Sequence, residues 1–149
     1  MKYTNRPATL TRRCTCYGAS IASIASIIAD GGHTFNLNDC TIPRAGYVYA
    51  PSKATEAVFG KLDNYIIKRF IRVNAYRLTE HSRRCLGIWR DPSGKWVLDV
   101  VVVDPNLSNA LCFARLAKQD AIFDIAGQCV IPCNSTPETW AAFNARVGA

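Results

Sequence analysis

The residues of this chain that could do chemistry are concentrated in one basic segment, residues 61–84. The segment holds seven lysines and arginines against two carboxylates, with Tyr65, Tyr76 and His81 interleaved. Cations can neutralise phosphates and aromatic rings can stack on bases, so this composition is typical of a surface that binds a polyanion. The competing interpretation is the solvated back of an amphipathic helix. The cations expected to make charge contacts are Lys68, Arg69, Arg72, Arg77, Arg83 and Arg84.

The charge of the whole chain favours the same surface. The 149 residues carry 18 Lys and Arg against 11 Asp and Glu, a net charge of +7. Residues 1–90 hold 14 of these cations and 5 of the carboxylates, whereas residues 91–149 hold 4 and 6. This uneven balance indicates nucleic acid or an acidic protein as the partner. No helix-turn-helix, RNA-recognition or basic-zipper pattern accompanies the segment.

A second group of candidate residues is acidic. Five carboxylates lie on or beside predicted strands: Asp91, Asp99, Asp104, Asp120 and Asp124. A metal-dependent nuclease needs two or three carboxylates that converge on Mg²⁺. The acidic-x-Lys pair of such sites is absent, because two valines follow Asp99. A turn explains Asp91 better, and helix capping explains Asp104. Asp99 lies inside an apolar strand, where it requires a partner such as an arginine, or a sheet edge.

The seven cysteines favour a structural role. Several lie in apolar runs, where cysteine behaves as a small hydrophobe, and the odd number favours reduced thiols in a cytoplasmic setting. The close pairs Cys14–Cys16 and Cys129–Cys133 lack the two-residue gap of zinc knuckles. Nothing local marks a cysteine as a nucleophile activated by His33 or His81. Without a serine-hydrolase elbow or a phosphate-binding glycine loop, we expect no metal and no cofactor.

The amino-terminal region imitates a signal peptide. Basic residues precede the apolar stretch Tyr17–Ala29, but serines interrupt it and it is shorter than the roughly 20 residues that cross a bilayer. We therefore predict a helix with a stripe of isoleucines, ended by Gly31 and Gly32, and no membrane partner. This Ile-Ala-Ser helix is also the contact surface that a homo-oligomer would use.

The remaining elements follow from periodicity and turn residues. Leu62–Thr79 is predicted as one long helix capped by Asp63. Two strands form a hairpin around the turn at Asp91–Gly94, and the run Val100–Val103 lacks alternation, which predicts a central strand buried on both faces. The other predictions are strands at 33–37, 46–50, 121–125 and 129–131, helices at 107–118 and from Thr136, and an ambiguous segment at 54–59.

These elements predict an α+β fold. Residues 1–149 form a single domain, with a mostly antiparallel sheet, a central hairpin at about 85–103 and three to four packed helices. Residues 1–13 are a candidate flexible basic arm.

Several short motifs together resemble a family. They are Gly31-Gly32-x-Thr34-Phe35, Gly46-Tyr47-x-Tyr49, Leu86-Gly87-x-Trp89-x-Asp91 with Gly94, Leu98-Asp99-Val100, and Gln119-x-Ala121-Ile122-Phe123-Asp124. Their order and spacing resemble those of an uncharacterised family of small proteins from actinobacteria, their phages and other mobile elements. The resemblance implies a mobile-element context and supplies no catalytic residues.

Three functions follow as expectations. The first is a non-enzymatic accessory binding protein of a phage or mobile element, in the cytoplasm of a bacterial host. Its basic face would contact nucleic acid or an acidic host protein, with a host-takeover or counter-defence role. The second is a small metal-dependent hydrolase or nuclease that uses Asp99 with Asp91 or Asp124. The third is a structural protein that forms oligomers.

Overall fold

A computed structural model describes residues 24–39 and 41–134 of the chain. The described residues form four α-helices, seven strands and one short 3₁₀ turn, Lys53–Thr55. The helices are α1 (Ile24–Asp30), α2 (Asn64–Val73), α3 (Ala75–Thr79) and α4 (Leu107–Leu116). The strands are β1 (Gly32–Phe35), β2 (Tyr47–Tyr49), β3 (Ala57–Phe59), β4 (Arg84–Arg90), β5 (Trp96–Asp104), β6 (Ala121–Asp124) and β7 (Cys129–Pro132). The arm predicted at residues 1–13 and the helix predicted from Thr136 lie outside the described residues.

The seven strands pair in the order β1-β4-β5-β2-β6-β7, and β3 pairs with β5. The recorded pairings are antiparallel, as in β1 with β4 and β2 with β5. The hairpin β4–β5 closes through a turn in which the Gly94 amide donates to the Asp91 carbonyl at 2.9 Å. Gly94 has a φ of +85°, which glycine adopts without strain. The α+β fold and its central hairpin are therefore confirmed, whereas β3 was left ambiguous by the sequence.

Two compact units divide the chain. Among the described residues, the first unit contains Ala54–Val101 together with residues 24–39 and 41–43, and the second contains Arg44–Lys53 together with residues 102–134. Strand β5 supplies residues to both units. The single domain expected from the sequence stays a prediction.

In the first unit, helices pack on one face of the strands. Alternate residues of a strand point to the same face, so Trp96, Leu98 and Val100 of β5 share one side. They join a buried cluster with side chains from α1, α2, α3 and β4. The helical members are Ile27, Ile67, Phe70, Ile71 and Leu78. This packing fixes which side of α2 is turned inward.

The opposite side of β5 is also buried. Val97, Asp99 and Val101 are 4%, 0% and 2% exposed. The prediction of a strand covered on both faces is thus confirmed. This buried row of side chains also includes the carboxylate of Asp99. Close packing continues onto β4, because a Cβ atom on Gly87 would lie 2.9 Å from a methyl carbon of Val101.

The second unit builds its core under helix α4. Ala110, Leu111 and Ala114 of this helix are buried against Tyr49 and Val102. Ile122 and Ile131 of the pair β6–β7 complete the cluster. Asp104 and Asn106 precede the helix, and both side chains accept backbone hydrogen bonds. The cap is Asn106, whose side-chain oxygen accepts from the Asn109 amide at 3.0 Å, so the expectation that Asp104 caps the helix was wrong.

The long helix predicted over Leu62–Thr79 is divided in the structure. Asp63 caps α2 as predicted, because its carboxylate accepts from the Ile66 amide at 2.8 Å. At Asn74, however, the side-chain amide donates to the Phe70 carbonyl at 3.0 Å, and the residue has φ −103° and ψ 15°. An asparagine side chain that bonds to the helix backbone competes with regular helical geometry. Helix α3 therefore begins at Ala75 as a separate element.

Candidate nucleic-acid interface

One exposed face of helix α2 brings together the central cations of the basic segment. The inward side of the helix carries Ile67, Phe70 and Ile71, which are 0–6% exposed. With 3.6 residues per turn, Lys68, Arg69 and Arg72 lie on the opposite side, and all three are exposed. The alternation of apolar and basic residues along the segment sets which side of the helix each residue occupies.

The same face carries aromatic side chains. Tyr65 precedes Arg69 by four residues, and its side chain is 69% exposed. Tyr76 follows Arg72 by four residues in α3, and it is 47% exposed. Leu78 of α3 is buried in the same cluster as Ile67 of α2, so the two helices turn the same side towards the core. We call the surface formed by Tyr65, Lys68, Arg69, Arg72 and Tyr76 the basic face.

Among residues 24–39 and 41–134, no carboxylate forms an ion pair with a cation of this face. Residues 64–79 contain no Asp or Glu. Asp63, at one end, is engaged as the cap of α2, and Glu80, at the other end, forms an ion pair with Arg84 at 3.3 Å. In the part of the chain that the structure describes, Lys68, Arg69 and Arg72 form no ion pair. The basic face therefore presents positive charge to its surroundings.

The remaining predicted cations are placed differently. Arg77 is exposed on α3, and Arg83 is exposed in the loop before β4. The Arg83 backbone amide donates to Nδ1 of His81 at 3.2 Å. Arg84 is half-buried at the start of β4 and is engaged by Glu80. Of the six cations named from the sequence, the structure brings Lys68, Arg69 and Arg72 together and assigns Arg84 to a local ion pair.

Asp99 is fully buried in the first unit. Its Oδ1 atom accepts a hydrogen bond from the Thr55 hydroxyl at 2.5 Å and another from the Val100 amide at 2.7 Å. Its Oδ2 atom has no hydrogen-bond partner among the described residues. Burial raises the pKa of Asp99 to about 6, although both hydrogen bonds oppose that rise. The expected partner was an arginine or a sheet edge, and a threonine hydroxyl is found instead.

Thr55 is the residue that the sequence did not reveal. It lies in the 3₁₀ turn, 44 residues before Asp99 in the chain. A hydroxyl that meets a distant carboxylate leaves no periodic or local pattern, because the contact depends on the pairing of β3 with β5. The isolated Asp99 in an apolar strand was the signal that such a partner was needed.

The other carboxylates of the nuclease alternative lie elsewhere. Asp91 is in the hairpin turn, where its carboxylate accepts from the Ser93 hydroxyl at 2.6 Å and from the Lys95 amide at 2.9 Å. The Ser93 hydrogen bond is the main cause that lowers the pKa of Asp91. Since Lys95 faces Asp91 and Asp99 lies four residues further along β5, strand geometry separates the two aspartates by about 13 Å. Asp124 ends β6 in the second unit, where it accepts from the Gly127 amide at 3.1 Å.

Metal and thiol chemistry find little support within the described ranges. No group of three or more His, Cys, Asp or Glu side chains there could hold a metal ion. Burial raises the pKa of Cys85 to about 12, and it raises the pKa of Cys129 and of Cys133. A raised pKa keeps a thiol protonated, which is the opposite of an activated nucleophile. The close pair Cys14–Cys16 lies outside the described residues.

Comparisons of this chain with protein-family models, with curated proteins and with solved structures find no match. None of the helices in the described ranges has the length and apolar character needed to cross a membrane. Function is therefore inferred from the chemistry of the basic face and of Asp99.

Proposed function

We propose that this chain is a non-enzymatic accessory binding protein of a phage or other mobile element, and that its basic face contacts nucleic acid. The observation that carries the binding proposal is the exposed cluster of Lys68, Arg69 and Arg72, with which no carboxylate of the described residues forms an ion pair. The mobile-element setting, the bacterial cytoplasm and a host-takeover or counter-defence role rest on the family resemblance.

The spacing of these cations favours an external counter-charge. Lys68 and Arg72 are four residues apart, and Arg69 and Arg72 are three apart, so their side chains are neighbours on the helix. Like charges at these spacings destabilise a helix by about 0.2–0.5 kcal/mol per pair. A row of phosphates that binds here removes this repulsion and releases its own counterions. The free energy of binding is therefore favoured both by the lost repulsion on the protein and by the counterions released from the nucleic acid.

The test measures affinity against salt. Fluorescence anisotropy with a labelled 20-nucleotide single strand and a 20-base-pair duplex would be recorded between 50 and 200 mM NaCl. If about three phosphates are neutralised, the slope of log K against log salt is about −2 for the single strand and about −3 for the duplex. The variant Lys68→Gln/Arg69→Gln/Arg72→Gln should weaken binding at 50 mM salt about tenfold or more and flatten that slope. Glutamine keeps helix propensity, so α2 stays folded.

A matched control removes three exposed cations elsewhere. Arg44→Gln/Lys53→Gln/Lys95→Gln lowers the net charge by the same amount at positions outside the basic face. This control should retain most of the affinity. Equal losses in the two triple variants would show that only total charge matters. Absence of binding to either nucleic acid at 50 mM salt, with capture by polyglutamate, would replace nucleic acid by an acidic protein as the partner.

A further inference from the structure

We infer that the basic face binds a single-stranded nucleic acid, with bases stacked on Tyr65 and Tyr76 and phosphates held by the arginines between them. The inference rests on the proposed function and names its substrate class. Exposed apolar side chains accompany the exposed cations of this face. Three of the nine large ones in the described residues, Tyr65, Val73 and Tyr76, lie on or beside the basic face.

The order of side chains along the face suits a single strand. Tyr65, Arg69 and Arg72 follow one another on α2 at intervals of four and three residues, and Tyr76 lies four residues further on, in α3. This is the spacing of side chains that share one face of a helix. Backbone hydrogen bonds continue through Asn74, since its amide donates to Phe70 and its carbonyl accepts from Leu78 at 3.0 and 2.9 Å. An aromatic ring therefore stands at each end, with cations between.

The exposed tyrosines favour a single-stranded nucleic acid over a duplex or an acidic protein. In a duplex the base faces are already stacked on one another, and only base edges are open in the grooves. In a single strand the base faces are available to aromatic side chains, and each stacked base contributes about tenfold to affinity. An acidic protein would pair with the cations but offers no bases for the two rings to stack on. Exposed rings that flank the arginines are thus best matched by unpaired bases.

The experiment compares three probes of equal length at 50 mM NaCl: a labelled oligothymidine, a labelled oligouridine and a mixed-sequence DNA duplex. Both single strands should bind more tightly than the duplex. The affinities for the oligothymidine and the oligouridine then show whether the protein prefers DNA or RNA. Tyr65→Leu/Tyr76→Leu should weaken single-strand binding about tenfold or more and leave the salt slope unchanged. Tyr65→Phe/Tyr76→Phe keeps both rings and should retain the affinity.

The control is an exposed aromatic residue in the second unit. Phe113 on α4 is 48% exposed and its ring stacks on that of Tyr49 at a centroid distance of 6.0 Å, so Phe113→Leu removes a ring of similar exposure outside the basic face. This variant should leave binding unchanged. If the duplex binds as tightly as the single strands, or if the leucine pair has no effect while Lys68→Gln/Arg69→Gln/Arg72→Gln abolishes binding, stacking is refuted and the proposed function stands. Failure of all three probes to bind refutes both.

Discussion

At the scale of single residues, Asp99 has the strongest electrostatic consequence for stability. Its carboxyl is fully buried, and one oxygen has no hydrogen-bond partner among the described residues. Because burial penalises the charged form, the pKa rises from the model-peptide value of 3.8 to about 6. The folded state then binds a proton more tightly than the unfolded state does. This carboxyl therefore favours folding below about pH 4 and loses that contribution as pH rises through 6.

Replacement of Asp99 by asparagine tests this sign directly. The Asp99→Asn side chain stays neutral at every pH, and its oxygen can still accept from Thr55 and Val100. The free energy of unfolding of the variant, measured against that of the wild type, should rise between pH 4 and pH 7.5. A pKa difference of about two units corresponds to a change of up to about 3 kcal/mol. Urea unfolding at pH 4, 5, 6 and 7.5 supplies the measurement.

The amide nitrogen of the new asparagine is a buried donor, and this lowers the stability of the variant by a similar amount at all pH values. Only the change with pH therefore reports the titration of Asp99.

Asp91→Asn is the matched control. The pKa of the Asp91 carboxyl is lowered, so its contribution to stability changes with pH in the opposite direction to that of Asp99. A stability difference for Asp99→Asn that is constant from pH 4 to 7.5 would contradict the assignment.

At the scale of elements, the end of α4 was predicted two residues too late, and the reason is a backbone motif. The Gln119 amide donates to the Ala114 carbonyl at 2.9 Å, and the Lys118 amide donates to Arg115 at 3.0 Å. These bonds form a Schellman cap, which usually carries glycine at the position that Lys118 occupies. Lys118 has a φ of +57°, which is costly for a residue with a Cβ atom.

Lys118→Gly should therefore stabilise the protein. Glycine adopts the left-handed conformation without steric cost, so the free energy of unfolding should increase by about 1 kcal/mol. Lys118→Ala removes the same charge but keeps the Cβ atom, and it should give little gain. Chemical denaturation of the three proteins at one pH provides the comparison. Equal stabilisation by alanine and glycine would attribute the effect to the lost charge instead of the backbone.

These elements also show what the sequence can and cannot predict. The hairpin β4–β5 was predictable because Asp91, Pro92 and Gly94 define a turn and β-branched residues follow it. The basic face was predictable because helical periodicity separates its cations from the isoleucines. Strand β3 was not predictable because residues 54–59 are compatible both with one or two helical turns and with an extended segment. The contact of Thr55 with Asp99 depends on strand pairing across 44 residues, which no local pattern encodes.

At the scale of the whole molecule, β5 is the strand on which most of the pairing depends. It has β4 on one side, and on the other it pairs with β3 through residues 96–98 and with β2 through residues 102–104. Seven consecutive residues, Trp96 to Val102, are buried. Strands β1 and β7 lie at the two ends of the strand order. Amides with many buried contacts open only when the surrounding structure unfolds, whereas those of peripheral strands open in smaller, less costly steps.

Amide hydrogen exchange should therefore be slowest in β5. We expect residues 97–102 to exchange with a free energy of opening close to that of global unfolding. The amides of β1 and β7 should open at lower free energies. Native-state exchange monitored by NMR, with increasing sub-denaturing urea, separates the two classes, because local openings are insensitive to urea and global ones are not. Rates that increase in proportion to hydroxide between two pH values provide the control that exchange reports an opening equilibrium. Protection of β1 or β7 equal to that of β5 would contradict a hierarchy in which the most heavily paired strand opens last.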